Sequence, residues 1–214
     1  MSSILSINPE APDPEALRAA AEAVRRGGVI AYPTETVYGL GADPFCEAAI
    51  DRVFGLKGRD AAKALILLIR GDLDLPRVAS EVPETARRLM AAFWPGPLTL
   101  VLKASPHLPK LLLGGGDTVA VRVSSHPIAR AITDLVAGPV TSTSANRSGQ
   151  LPARSAADVS TIFGDGIDLI VDGGPSPDDR PSTVVDVSGT LPILLREGKI
   201  EAKTIEAAGR RVLR

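Results

Sequence analysis

Cysteine is nearly missing from this chain: Cys46 stands alone. One thiol closes no internal disulfide and supplies no cysteine-rich zinc site. A reducing compartment, and hence the cytoplasm, is the expected location. Two histidines, His107 and His126, are too few for a typical histidine metal cluster. Aromatic residues make up 3%, which argues against base stacking as a main way of holding nucleic acid. Neither sign of charge dominates: 24 basic against 25 acidic side chains leave a net charge of -1. No global field therefore draws the protein to nucleic acid or to a membrane surface, although a local basic patch stays open.

Long apolar runs are missing too. A stretch such as ALILLI (Ala64 to Ile69) falls far short of the roughly 18 residues a membrane span needs. The opening MSSILSINPEAPDPE has no basic segment followed by an apolar one, so no signal peptide and no membrane contact are expected. G-x-x-x-x-G-K-[ST], G-x-G-x-x-G and G-x-S-x-G do not occur, which removes the main support for P-loop, Rossmann and α/β-hydrolase readings.

What is present describes a globular protein. At 214 residues, 44% hydrophobic and 23% charged, the chain is long enough for one sizeable core. One domain over residues 1–214 is expected. Asp13 and Pro14 open a helix that Gly27 or Gly28 ends. VIAYP is a short buried strand, EAAIDRVFGLKG a helix, ALILLI a strand and PETARRLMAAFW a helix. LTLVLKA and TVAVRV are strands, HPIARAITDLVAG is a helix ended by Gly138, and PVTSTSA is extended. ARSAADVSTIFG is a helix; strands near DLIVD, STVVDV and PILLRE and a short last helix after Glu201 follow. Helices and strands alternate early and strands crowd late, so the fold class is α/β with a mixed sheet. DGGPSPDDRPS (Asp172 to Ser182), rich in glycine, proline and charge, is expected to be the mobile loop.

Three stretches carry unusual polar chemistry. In TVAVRV, alternation puts Val119, Val121 and Val123 on one face and Thr118, Ala120 and Arg122 on the other. A guanidinium on a core strand needs a partner, either a structural carboxylate or an anionic ligand. In PVTSTSANRSG, Ser142, Ser144 and Asn146 share one side and Thr141 and Thr143 the other. Such hydroxyls either bond their own backbone or surround phosphate oxygens or a sugar without adding charge. In LKGRDAAK, Lys57, Arg59 and Lys63 follow a helix end, where cations are ordinary surface chemistry. His126 reads as a helix N-cap and Cys46 as packing. Glu35, in AYPTETVYGLG, reads either as a base or as a carboxylate bonded to backbone N–H groups. The set is cationic and hydroxylic, with no nucleophile–histidine pair. It suits chemistry run by positioning anions, such as nucleotide-dependent adenylation.

The ordered motifs GGVIAYPTETVYGLG, KGR with KALILLI, FWPGPLTLVL, VAVRV, STSANRSG and STVVD with LREG span about Ala20 to Ile200. In this order they resemble the YrdC/Sua5 family. The resemblance implies an open twisted α/β sheet flanked by helices around a concave basic cavity. It implies a reaction in which L-threonine, bicarbonate (or CO2) and ATP, with Mg²⁺, give threonylcarbamoyl-AMP and pyrophosphate. Transfer proteins would then carry the threonylcarbamoyl group to position 37 of tRNAs. A double-stranded RNA or tRNA binder using the same basic concavity is the alternative. Residue by residue, the resemblance assigns Thr36, Arg122, Ser142 and Ser182 to threonine. It assigns Arg59, Lys63, Thr118, Ser144, Asn146 and Arg196 to ATP, with Lys57 and Arg59 as the catalytic cations. The sequence departs from the family at Asp60 and Ala64, where prolines are common. It departs also at Leu68, where some long forms have a histidine, and at Pro152, where long forms often have a serine.

Overall fold

The computed structural model describes residues 3–58, 62–177 and 180–208. Strand β1 (Ser3–Ser6) leads into α1 (Pro14–Arg25), β2 (Ile30–Tyr32), β3 (Gly39–Gly41) and α2 (Glu47–Lys57). Then come β4 (Ile66–Leu68), α3 (Leu75–Val78), α4 (Glu84–Phe93), β5 (Leu98–Lys103), β6 (Thr118–Arg122) and α5 (Pro127–Val136). Two-residue strands β7 (Val140–Thr141) and β8 (Thr143–Ser144), α6 (Ala156–Phe163) and a short 3₁₀ turn follow. The chain closes with β9 (Leu169–Asp172), β10 (Thr183–Asp186), β11 (Ile193–Arg196) and α7 (Ala202–Ala208). Among the described residues no helix is long and apolar enough to cross a membrane.

The helix ends follow the local chemistry. The Asp13 carboxylate accepts from the Glu15 N–H ahead of Pro14, so one orphan donor of α1 is satisfied. Ser155 and Asp158 form a reciprocal capping box on α6. The His126 Nδ1 accepts from the Ile128 N–H at 3.3 Å and caps α5. At the far end of α5 the left-handed residue is Ala137 (φ 59°), one position before the expected Gly138. Cys46 is half-buried and packs on the main core.

The mixed α/β architecture is present, and its strands divide between two sheets. One runs β1-β9-β2-β3-β8, with β1 and β2 parallel to β9 and the remaining pairs antiparallel. The other runs β11-β10-β5-β6-β4-β7, with β10 parallel to β5 and β4 parallel to β6. The larger apolar cluster draws on both sheets: Ala31 and Leu40 from the first, Leu67, Leu98, Leu100 and Val121 from the second. Helices α2, α4 and α6 add Ile50, Leu89 and Val159 to it. A second cluster lies where α1 and α5 pack, through Leu17, Ala20, Ile128 and Ile132 against Ile30 and Val171.

The run PVTSTSA is extended, as expected, but it changes sheets. Val140–Thr141 pairs with β4 of the second sheet, and Thr143–Ser144 pairs with β3 of the first. Ser142 sits between, its N–H bonded to the Ile66 carbonyl at 2.7 Å. Tyr32 is buried across this junction, and its hydroxyl donates to the Thr141 carbonyl at 2.9 Å. Burial pushes the Tyr32 phenol far above its ordinary pKa. Gly41 makes the fit: a Cβ there would stand 2.6 Å from the Tyr32 ring.

Candidate active site

A cavity of about 360 Å³ opens where the two sheets meet. The first sheet contributes Thr34, Thr36 and the stretch Val37, Tyr38 and Gly39. The second contributes Ile66, Ala120, Arg122 and Val184. Ser142, Thr143 and Ser144 cross between them, and Pro181, Ser182 and Arg196 come from the late hairpin. Ala64 and Pro152, two of the departures noted above, complete the lining. Of the other two, Leu68 is packed in the α1–α5 cluster and does not reach the cavity, and Asp60 lies outside the described residues.

The stretch PTET makes a tight hydroxyl-bonded turn. The Thr34 hydroxyl donates to the Val37 carbonyl at 2.7 Å and accepts from the Thr36 N–H at 3.2 Å. The Thr34 and Thr36 hydroxyls lie 2.9 Å apart. This turn aims both threonines at the cavity and sends Glu35 away from it. Glu35 does not bond backbone N–H groups as one reading of the sequence held: its Oε2 accepts from the Ser124 hydroxyl, and Lys199 donates to its main-chain carbonyl at 3.1 Å.

Arg122 is 4% exposed and lies on the cavity face of β6. It lines the cavity, and its Nε lies 3.8 Å from the Glu35 Oε1, the structural carboxylate that one reading of the sequence held. Its Nη1 donates to the Thr36 hydroxyl at 3.3 Å. The second guanidinium, Arg196, is clasped to the main chain. Its Nε and Nη2 donate to the Ser182 carbonyl at 3.0 and 2.9 Å, and Nη2 also to the Ser182 hydroxyl at 3.1 Å. That hydroxyl is 2.8 Å from the Thr99 hydroxyl. Burial, and the neighbouring Arg122 charge, hold the Arg196 guanidinium below its ordinary pKa. Arg122 and Arg196 are the charged side chains among the lining residues.

The other sequence candidates fall in three groups. Thr36, Arg122, Ser142, Ser144, Ser182 and Arg196 meet in the cavity. Lys57 and Asn146 stand just behind its wall. The Lys57 ammonium, 3% exposed, donates to the Ser144 carbonyl and, at 3.0 Å each, to the Asn146 carbonyl and Oδ1. Asn146 also accepts from the Ser144 hydroxyl at 2.6 Å and donates to the Arg147 and Gln150 carbonyls. Thr118 and Lys63 do not line the cavity: Thr118 pairs with Lys103 at the start of β6, and Lys63 is exposed on the loop before Ala64. Arg59 lies outside the described residues. Thr34, Gly39 and Val184 line the cavity without having been singled out in the sequence, and Thr143, which alternation put on the face opposite Ser142 and Ser144, lines it beside them because the run changes sheets there. Only the PTET repetition of threonine hinted at the first of them.

The loop after β9 is tied at its base. The Tyr38 hydroxyl donates to the Gly174 carbonyl at 2.7 Å, and the Ser176 N–H to the Arg154 carbonyl at 2.7 Å. Residues 178 and 179 lie outside the described residues.

Comparison with known proteins places the chain among relatives of the same fold. The Sua5/YciO/YrdC family model, described as "Telomere recombination", matches residues 22–198. The threonylcarbamoyl-AMP synthase of Pyrococcus abyssi is 44% identical over 190 residues, 89% of this chain and 56% of that one. The chain thus spans little over half of this archaeal relative. The threonylcarbamoyl-AMP synthase of Halorhodospira halophila is 43% identical over 178 residues, 83% of this chain and 93% of that one. The crystal structure of P. abyssi Sua5 complexed with L-threonine superposes with a TM-score of 0.95 at 40% identity, covering 99% of this chain and 62% of that one. The chain belongs to the Sua5/YciO/YrdC family.

Proposed function

We propose that this protein is an L-threonylcarbamoyladenylate synthase, a nucleotidyltransferase that converts L-threonine, bicarbonate (or CO2) and ATP to threonylcarbamoyl-AMP and pyrophosphate. One observation carries the reading: two guanidinium groups, the buried Arg122 and the more exposed Arg196, face a cavity otherwise walled by hydroxyls and small apolar groups. That wall suits anions held beside a small hydroxylated amino acid. The names of the relatives and the threonine complex of the P. abyssi protein support the same substrate.

In this reading Arg122 takes the threonine carboxylate, and Thr36, Ser142 and Ser182 orient the rest of the amino acid. Arg196 and Ser144 face the nucleotide. Arg59, Lys63 and Thr118 complete its phosphate contacts at the cavity edge. Lys57 and Asn146 hold the Ser144 segment in shape from behind. Threonine with its amine uncharged captures CO2 as a carbamate, a carbamate oxygen attacks the α-phosphorus of ATP, and pyrophosphate leaves. The barrier is largely anion meeting anion, so fixed guanidinium groups lower it.

The cavity residues do not fit a metal held by protein side chains. Its lining has no carboxylate or imidazole, and among the described residues no group of three or more His, Cys, Asp or Glu is placed to hold an ion. Mg²⁺ belongs to this reading as part of the substrate, on the ATP phosphates, because it prefers oxygen ligands and retains water. The product is reactive, so its consumer is a group-transfer system acting on tRNA, in the cytoplasm.

The test is direct. Purified protein with ATP, Mg²⁺ and bicarbonate is expected to release pyrophosphate with threonine, much less with serine, and none with neither. Release that ignores the amino acid, or salt-sensitive RNA binding with no release at all, would overturn the reading.

A further inference from the structure

The carboxylate of Glu35 and the guanidinium of Arg122 are buried side by side, yet they do not hydrogen-bond. Arg122 Nε and Glu35 Oε1 are 3.8 Å apart, and each is buried without a hydrogen-bond partner. Two such atoms left unsatisfied at once are unusual in a protein interior. The cause is visible in the neighbours. The Ser124 hydroxyl donates to the other carboxylate oxygen, Oε2, and itself accepts from the His126 N–H at 3.1 Å. Ser124 lies two residues before the α5 cap and is 3% exposed, so it is a fixed anchor. Lys199, from the late hairpin, holds the Glu35 main chain in place. Glu35 is thus restrained from closing on Arg122.

The consequence falls on the cavity side of the guanidinium. A full bidentate pair would neutralise Arg122 and occupy the edge that it needs for a ligand. The restrained pair supplies opposite charge from behind and leaves the cavity side, which Arg196 also lines, open. Glu35 itself does not line the cavity.

We propose that Glu35 is a positioning residue: held by Ser124, it orients Arg122 from behind for the carboxylate of the amino-acid substrate without capping it. The inference rests on the proposed activity for its substrate, and on geometry for everything else.

Two readouts separate it from that activity: threonine binding by calorimetry in the absence of ATP, and pyrophosphate release. Glu35→Gln keeps the volume and the acceptor for Ser124 and removes the charge. It is expected to weaken threonine binding and raise the threonine KM about tenfold, the scale of one lost charge-assisted contact, with the ATP KM within twofold. In an Arg122→Lys background the same change is expected to add less than twofold, because Glu35 acts through the guanidinium. Should Glu35→Gln fold poorly, Ser124→Ala serves instead. It leaves both charges in place, lets Glu35 close on Nε, and is expected to weaken threonine about threefold. Threonine binding unchanged in both variants, or equal losses with and without Arg122, overturns the proposal. A wild-type protein that binds threonine but releases no pyrophosphate sinks the activity and leaves this inference standing if the variants bind more weakly. Absence of threonine binding by the wild type sinks both.

Discussion

Single residues explain why this site is shaped as it is. Alternation along TVAVRV put Arg122 on the same face as Ala120, and that face does line the cavity. The same alternation put Thr118 there, and it does not reach. A strand advances about 3.3 Å per residue, so Thr118 lies roughly 13 Å from Arg122 along β6. Period-2 reasoning tells which face a side chain takes and is silent on how far along it a cavity extends. The Glu35–Ser124 bond was beyond reach for another reason: its partners are 89 residues apart in sequence, and nothing local couples them. Ala137 offers a test at this scale. A left-handed conformation costs an alanine roughly 1 kcal/mol more than a glycine. Ala137→Gly, at φ 59°, is therefore expected to raise stability by about that amount in urea unfolding. A loss of stability would show that the cap is held by packing of the methyl instead.

At the scale of elements, the longer helices and most strands were plain in the sequence, and β1, β3 and the short helix α3 were not. α1, α4 and α5 have apolar residues at helical spacing, and α1 and α5 start at side-chain caps. β3 is Gly-Leu-Gly, a sequence with little strand preference, and its pairing to β2 and β8 imposes the conformation. β1 is four residues long and mostly exposed, so no buried pattern announced it. The cap of α5 has its own pH signature. Burial lowers the His126 pKa, with the nearby Glu35 charge opposing, so the unfolded chain takes up a proton first as pH falls. The contribution of His126 is complete above its ordinary value of about 6.5 and is lost as pH drops through that value toward the lower folded one. His126→Asn keeps a capping acceptor and removes the titration. The variant is expected to lose less stability than wild type between pH 7.5 and pH 5, as read from urea midpoints. Parallel losses would assign the slope to other groups.

The late hairpin shows the same dependence on close contact. A Cβ on Gly198 would overlap the Pro181 carbonyl and crowd Ser182. Gly198→Ala is expected to displace Ser182 and Arg196 together, raising the ATP KM by about tenfold while leaving α1 and α5 protected from hydrogen exchange. An unchanged KM would separate the hairpin from nucleotide binding.

For the whole molecule, the mixed α/β class was legible from element order, and the division into two sheets was not. At Ser142 a continuous extended run leaves one sheet and joins the other. Composition and periodicity are blind to such a step, because both halves read as strand. The cavity wall is accordingly a census of the chain, with contributions from Thr34 through Arg196. A molecule that seats its ligand between two sheets acts as a rivet through both. Opening either one discards part of the seat, so occupancy suppresses fluctuations throughout the fold and not only beside the bound substrate.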